Sequence, residues 1–594
     1  MSKFNKNYSI IQKFFVQRTS EMLHRKTIDT YSTKVMNPYL IVQEFAEVLE
    51  MVKLNTIDYQ HNIPAIIEEI EYFFDRNVYL DFNHFTKDYF LTELKKTNKQ
   101  RYESTLIAAK NLLEYNKNYK ESLFGEIESI GSLTFDDDDE LLNELKRTNE
   151  IISFLVAQLI GEGYSKTYLR QQFEKHFSKK ISFTDSLKKF KKSVSTKPST
   201  FEVIFKCLSI KSVQEDIFSK SLKVTNNIKT LHDSLFEKNK QRLTNFVKTQ
   251  ESTRYIAVKV NSKDAYMAFI EAKRKLSIDL DLFHFTHLED GLYIYPHVLV
   301  VQKKGRNYWN YIPLDYVIAS KFNAGSHIFE ELNDRIKHIM SNDKIEQSTK
   351  NKIKSAIRYL RLGHESKEVE HKFLNYWIGL EHMFSNNTIK SSPIQNIKDY
   401  FIRLHCNNYL TKILWDAHNL IKRSDLKDDL TDFNDDDYEC MTNVNLYNEI
   451  LKRNKSEDPL LYFRIYRLKR TFFEKETNKE GEITKIHFKD FIEKHQKILD
   501  QHLSRMYRIR NQIVHDAAME LNIVLITSNI KYYLLFTLDK VIREFSEENC
   551  VFNNLTEFYK FNYFVFENRF CRKGSFEKIS EVTDYKITPD QLVN

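Results

Sequence analysis

FKDFIEKHQKILDQHLSRMYRIRNQIVH, residues 488–515, places Phe488, Ile492, His495, Leu499, Leu503, Met506, Arg510 and Ile513 three or four residues apart. Such positions share one face of a helix, so the stretch predicts a long amphipathic helix with a buried apolar stripe. Arg510 falls on that stripe. A guanidinium buried without a partner is expensive, so either a carboxylate meets it or the face opens into a cleft where an anion binds. A second face carries Arg508, Asn511 and His515 at steps of three and four. Arg510 and His515 lie roughly 140° apart around the helix. They converge only if Arg510 reaches round on its long stem.

The same helical character runs through most of the chain. Its 594 residues, 41% hydrophobic and 13% aromatic, are enough for several cores, and domains of roughly 100–200 residues give about three or four. Only 11 glycines and 8 prolines are present, too few for barrels, propellers or collagen-like repeats. The expected fold is mainly α and multi-domain. Residues 1–200 read as an α-helical N-terminal region, in segments such as IPAIIEEIEYFF and ELLNELKRTNEIISFLVAQLIG. In LIGEGYSKTYLRQQFEKHF a Gly-containing break separates two helices, with Ser165 placed as an N-cap, which fits an ordinary αα-hairpin better than a DNA-binding motif. The acidic run Asp136 to Glu140 suits a helix start, where carboxylates meet the positive end of the dipole.

Residues 201–330 read as a small α+β module. TRYIAVKV predicts a strand, AYMAFIEAKRKL a helix, and LYIYPHVLVVQKKGRNYWNYIPL two strands joined by a KKGRN turn. His284, His287 and His297 fall here without a Cys or acidic ligand set, so no metal site is expected. Helical periodicity returns over 345–594, with an insertion at about 386–485 whose polar stretches, 424–440 and 476–484, read as loops.

Several function classes are excluded by what the chain lacks. It contains no P-loop, no dinucleotide glycine fingerprint, no H-E-x-x-H and no G-x-S-x-G. Cys207, Cys406, Cys440, Cys550 and Cys571 are scattered with no C-x-x-C pair, which points to a reduced, cytoplasmic compartment. MSKFNKNYSIIQKFFVQR is too interrupted by charge for a signal peptide, and IISFLVAQLIG (151–161) is too short to cross a bilayer. The net charge of +8 leans toward a polyanionic partner. Two runs, 179–197 and 463–475, interleave cations with aromatics as strand-tracking nucleic-acid surfaces do.

Spacing alone does not single out Arg510 and His515. Arg18 with His24, Arg170 with His176 and Arg358 with His364 show comparable gaps. What distinguishes RNQIVH (510–515) is the interrupted apolar stripe and the Asn directly after the Arg. There the sequence resembles the R-x4-6-H signature of the HEPN superfamily. Upstream, SKEVEHKFLNYWIGLEHMFSNN (366–387) is similar to the first helix of the Apea-like HEPN branch, through Phe373, Trp377, Leu380 and Glu381. The resemblance covers about 365–546. More than a hundred residues separate its two motifs, longer than a minimal HEPN domain needs.

That resemblance implies a helical bundle that dimerises and a metal-independent endoribonuclease of antiphage defence, acting by abortive infection in the manner of a toxin. A phage-derived trigger is then among the partners, and tRNA among the candidate RNAs. No cofactor or metal is implied. Metal-free cleavage has the ribose 2′-OH attack its own phosphate, which needs a base, an acid and a cation for the dianionic phosphorane. Histidine can serve as acid or base near neutral pH, and arginine offers phosphate a planar fork. One of each cannot do all three tasks comfortably, so a homodimer pairing two motif helices is expected.

The expected catalytic set is Arg510, His515, Asn511 and Glu381, with Asn511 orienting phosphate or imidazole and Glu381 holding Arg510. Arg508, Arg505, Lys469 and Arg470 are read as RNA-binding cations. Against this stands a packing role, in which Arg510 pairs with Glu381 merely to fix two helices and His515 meets the helix C-terminal dipole. Other functions left open are non-catalytic RNA or nucleotide binding and a dimerising scaffold.

Overall fold

The computed structural model describes residues 8–24, 36–54, 59–74, 84–130, 137–177, 181–209, 222–225, 227, 246, 253–286, 292–302, 308–313, 326–366, 368–385, 392–453, 458–477, 483–516 and 523–570. Among the described residues the fold is mainly α, as the sequence predicts, with a small five-stranded antiparallel sheet and a separate two-stranded pair. In chain order, α1 (Ile10–Met22), α2 (Pro38–Lys53), α3 (Tyr59–Phe74), α4 (His84–Lys96), α5 (Glu103–Tyr115) and α6 (Tyr119–Ser129) come first. They are followed by α7 (Asp138–Gly161), α8 (Lys166–Phe177) and α9 (Phe183–Ser193). The sheet region holds β1 (Ser199–Ser209), β2 (Leu222–Thr225), β3 (Thr253–Ser262), α10 (Ala265–Thr286), β4 (Leu292–Gln302) and β5 (Tyr308–Pro313). Helices then resume with α11 (Ser326–Ser341), α12 (Gln347–Glu365), α13 (Val369–Phe384), α14 (Pro393–Lys422), α15 (Val444–Arg453) and α16 (Pro459–Phe473). After a short strand pair, β6 (Lys475–Thr477) and β7 (Ile483–Ile486), come α17 (His487–Asp516), α18 (Ile523–Ser546) and α19 (Leu555–Phe570).

The chain divides into two compact units, one of residues 1–158, 320–366 and 370–594, the other of residues 159–319 and 367–369. This differs from the three-part expectation of 1–200, 201–330 and 345–594. Most of the N-terminal helical region folds together with the C-terminal helices, while α8 and α9 belong with the sheet. The reason lies in side chains that no local pattern reveals. Asp458 caps α16 by accepting from the Leu461 amide at 3.1 Å, with Pro459 fixing the first turn. The next amide, Leu460, donates to Gln17 Oε1 on α1 at 3.1 Å, Arg464 pairs with Glu21, and Phe14 meets Phe463 edge-on at 5.1 Å. Similarly, Asn37 caps α2 through the Leu40 amide and donates back to the Phe154 carbonyl of α7.

The expected insertion at 386–485 is not a detached lobe. The 30-residue α14 packs along α17 and α19, and its far end, through Leu414, Ala417 and Ile421, shares a satellite core with Tyr447 and Ile450 of α15 and Leu461 and Ile465 of α16. The polar stretch 476–484, expected to be a loop, is partly paired backbone: Lys475 and Glu476 face Ile486 and Lys485 across the antiparallel β6–β7 pair.

In the second unit the strand order is β2-β3-β1-β4-β5, every pairing antiparallel. The central strand, STFEVIFKCLS, buries Val203, Ile204 and Phe205 on both faces. Pro296 of β4 lies where the β1–β4 register shifts between Phe205 and Cys207, the bulge a proline needs inside a sheet. His297 stacks on Tyr311 at 4.7 Å. The KKGRN turn and the His284 and His287 side chains lie outside the described residues.

The turn between α7 and α8 has a Schellman ending. The Gly163 amide, at φ 90°, donates to the Ile160 carbonyl and the Tyr164 amide to that of Leu159. Ser165 then caps α8 through the Tyr168 amide at 3.1 Å, as expected. Asp264 ties this cap to α10. Buried to 2% exposure, it accepts from the Ser165 amide and hydroxyl at 2.7 and 2.9 Å and from the Tyr266 and Met267 amides at 2.8 and 3.1 Å. Because one carboxylate serves two helix starts, Asp264→Ala is expected to destabilise this unit by about 2–4 kcal/mol, roughly two caps' worth. Denaturant unfolding followed by circular dichroism checks it, and a loss under about 1 kcal/mol would contradict the double cap.

Candidate functional site

Helix α17 runs 30 residues because its stripe stays apolar for most of that length. Phe488, Ile492, His495, Leu499, Leu503 and Met506 are all buried. At Arg510 and Ile513 the stripe rises to half-burial. The guanidinium expected in the core is therefore at its edge. Arg510 Nη1 donates to Asn511 Oδ1 at 3.1 Å. Among the described residues no carboxylate pairs with Arg510. His515 is in the last turn of the same helix, but its side chain lies outside the described residues.

The deeply buried arginines are Arg505 and Arg508, at 9% and 2% exposure. Arg505 Nε donates to both carboxylate oxygens of Glu44 on α2, at 3.1 and 3.0 Å, and its Nη2 donates to Glu69 on α3 at 2.7 Å. Arg508 pairs with the same Glu44. One turn further, the Gln512 amide contacts the Met51 sulfur at 3.0 Å. This corrects the expectation that Arg505 and Arg508 meet RNA. A charge removed from water needs its counter-charge at hand, and both guanidinium groups are consumed by Glu44 and Glu69. A signal for this was present in the sequence: Glu44 and Glu69 interrupt the apolar stripes of α2 and α3 just as Arg510 interrupts that of α17.

Glu381 does not hold Arg510. Its carboxylate accepts from Trp377 Nε1 at 2.9 Å, one turn back along α13, and among the described residues no ion pair joins it to Arg510. Phe373, Trp377 and Leu380 are fully buried, and the Trp377 ring approaches Tyr507 of α17 with centroids 5.9 Å apart. The motif of α13 therefore packs against the motif helix and supports it from behind. Lys469 and Arg470 are half-buried on α16, which also packs on α17. Burial and then the charges of Arg470 and Arg467 lower the pKa of Lys146, an ammonium that sits 5.8 Å over the Tyr466 ring. Positive charge is thus gathered where α7 meets α16.

A second polar cluster lies inside the bundle. His405 Nδ1 and His495 Nε2 are 3.1 Å apart, one donating and one accepting, and Tyr409 stacks on His495 at 3.5 Å. Burial pushes the His405 pKa well down and that of His495 down to about 3. Both imidazoles are held neutral. Their folded-state values lie below the ordinary 6.5, so their contribution to stability is intact above pH 6.5. It is lost as pH falls below 6.5 toward the depressed folded-state values, because the unfolded chain then binds protons that the buried pair refuses. Unfolding midpoints measured from pH 7 to 5 should fall steeply, and the slope should flatten in His405→Phe/His495→Leu; an identical slope would contradict the burial of this pair.

Among the described residues, no group of three or more His, Cys, Asp or Glu side chains is gathered as a metal site, and no helix is long and apolar enough to cross a membrane. No protein-family model, curated protein or solved structure matches the chain. The assignment of function therefore rests on the residues of the motif helix.

Proposed function

We propose that this chain is a metal-independent endoribonuclease of the HEPN type, with Arg510 and His515 as its reacting pair. The observation that carries this reading is the contrast among three arginines on one helix. Arg505 and Arg508 are neutralised by carboxylates, as packing arginines must be. Arg510, half-exposed and oriented by Asn511, is left with its charge uncompensated among the described residues. The packing alternative required a pairing with Glu381, and that carboxylate is engaged by Trp377.

In this reading Arg510 neutralises the phosphorane, His515 transfers the proton, and Asn511 orients the guanidinium toward phosphate. A second copy of the chain supplies the second histidine, making the enzyme a homodimer through its motif helices. Lys469 and Arg470 guide the RNA, with tRNA a candidate substrate. The biological setting is the cytoplasm of a phage-infected cell, where a phage-derived trigger unleashes cleavage. The grip of α2 and α3 on α17 gives the N-terminal region a direct hold on the site and supports a regulatory role for it.

Expressing the wild type and His515→Ala in bacteria tests the proposal. Wild type with its trigger should arrest growth and fragment RNA in extracts containing EDTA, and the variant should do neither. Equal behaviour of the two overturns it, and RNA binding without cleavage by the wild type indicates a non-catalytic RNA-binding protein.

A further inference from the structure

The second unit bears a separate cationic surface, made by α8 and α9. The run 179–197 alternates lysine with phenylalanine, which suggested bases stacking on exposed rings. The fold excludes stacking for the rings it describes. Phe183 and Phe190 are buried, and they pack with Phe173 and Phe177 of α8, with centroids 5.4 Å apart for Phe173–Phe190 and 5.8 Å for Phe177–Phe183. Burying that face turns the lysines outward.

Lys188, Lys189 and Lys192 are exposed on one side of α9, and Lys175 and Lys197 are exposed nearby in sequence on α8 and just past α9. Among the described residues no ion pair reaches any of these five. The acids of the two helices are otherwise engaged: Glu174 binds Arg170 at 2.8 Å, and Asp185 accepts from the Ser182 hydroxyl at 2.8 Å. A surface of like charges repels itself, and a polyanion relieves the repulsion.

We infer that the exposed lysine face of α9 is a nucleic-acid-binding surface that holds the phosphodiester backbone without reading its sequence. The chemistry of the face decides between polyanions. Its exposed positions besides lysine are Thr184 and Asp185, so it offers no apolar wedge for a lipid headgroup layer. It also offers no ring for a base and no arginine fork for a guanine edge. What it offers is flexible point charges, Lys188 and Lys192 being one helical turn, about 5–6 Å, apart. This surface is independent of the proposed cleavage site and stands or falls separately.

The test compares the full-length chain with Lys188→Gln/Lys189→Gln/Lys192→Gln, both carrying His515→Ala so that RNA stays intact. Binding of labelled poly(U) and of a labelled RNA duplex is followed by fluorescence anisotropy across a salt series, and binding to phosphatidylserine vesicles by co-sedimentation. Each phosphate contact contributes about 0.7–0.9 to the slope of log affinity against log salt, so the triple variant should lose roughly two to three units of slope on both probes. A Lys→Arg triple at the same positions should retain the slope. Unchanged affinity and slope in the glutamine variant overturns the inference. So does a loss confined to phosphatidylserine vesicles, which marks a membrane surface instead. Because all three lysines are exposed, thermal melts of the variants should match the parent.

Discussion

Arg505→Met is expected to lower the stability of the larger unit by about 3–5 kcal/mol, the cost of leaving a buried charge without its partner. The partner stranded is Glu69, whose side chain is 4% exposed; Glu44 keeps Arg508. Glu69→Leu should do less harm, because Arg505 retains both oxygens of Glu44. The double variant Arg505→Met/Glu69→Leu should recover much of the loss, since an apolar pair of similar volume can replace a buried ion pair. Denaturant unfolding of the four proteins closes the cycle. A double variant as unstable as the sum of the singles would mean that the two residues do not act on one another.

Substituting the motif gives the opposite pattern, with a large loss of activity and little loss of stability. Arg510→Ala should reduce RNA cleavage by about 10²–10³-fold, the usual loss for one group that stabilises a developing oxyanion. His515→Ala should reduce it by about 10²–10⁴-fold, as for a general acid or base. Half-burial and, among the described residues, the absence of a buried counter-charge limit the stability change at Arg510 to about 1 kcal/mol. The split matters because Arg505 and Arg510 are little more than a turn apart on one helix. If Arg510→Ala unfolded the protein as Arg505→Met does, Arg510 would be a packing residue.

The helices of this chain were readable from their three-and-four spacing, and the stripe of α17 is buried from Phe488 to Met506 as that spacing requires. Pattern also located β3, α10, β4 and β5. It passed over β1, a central strand buried on both faces, which shows a near-continuous apolar run in place of clean alternation. Partnership was the part that periodicity could not supply. Arg505, Arg508 and Arg510 have similar local surroundings, and only the approach of α2 and α3, more than 400 positions away in sequence, separates the paired from the unpaired. Glu381 shows the same limit: its i−4 neighbour Trp377 outcompetes the distant arginine that charge alone would select. For the same reason the lysines of α9 took on meaning only once their phenylalanines were seen to face inward.

The most direct measurement concerns the ends of the fragments that the wild-type chain produces from RNA in the presence of EDTA. Attack by the 2′-OH on its own phosphate releases a 2′,3′-cyclic phosphate on one fragment and a 5′-hydroxyl on the other. Mass spectrometry should find those termini with wild-type protein and lose them with Arg510→Ala. Fragments bearing 3′-hydroxyl and 5′-phosphate ends, or cleavage that EDTA abolishes, would contradict a metal-independent reaction at Arg510 and His515.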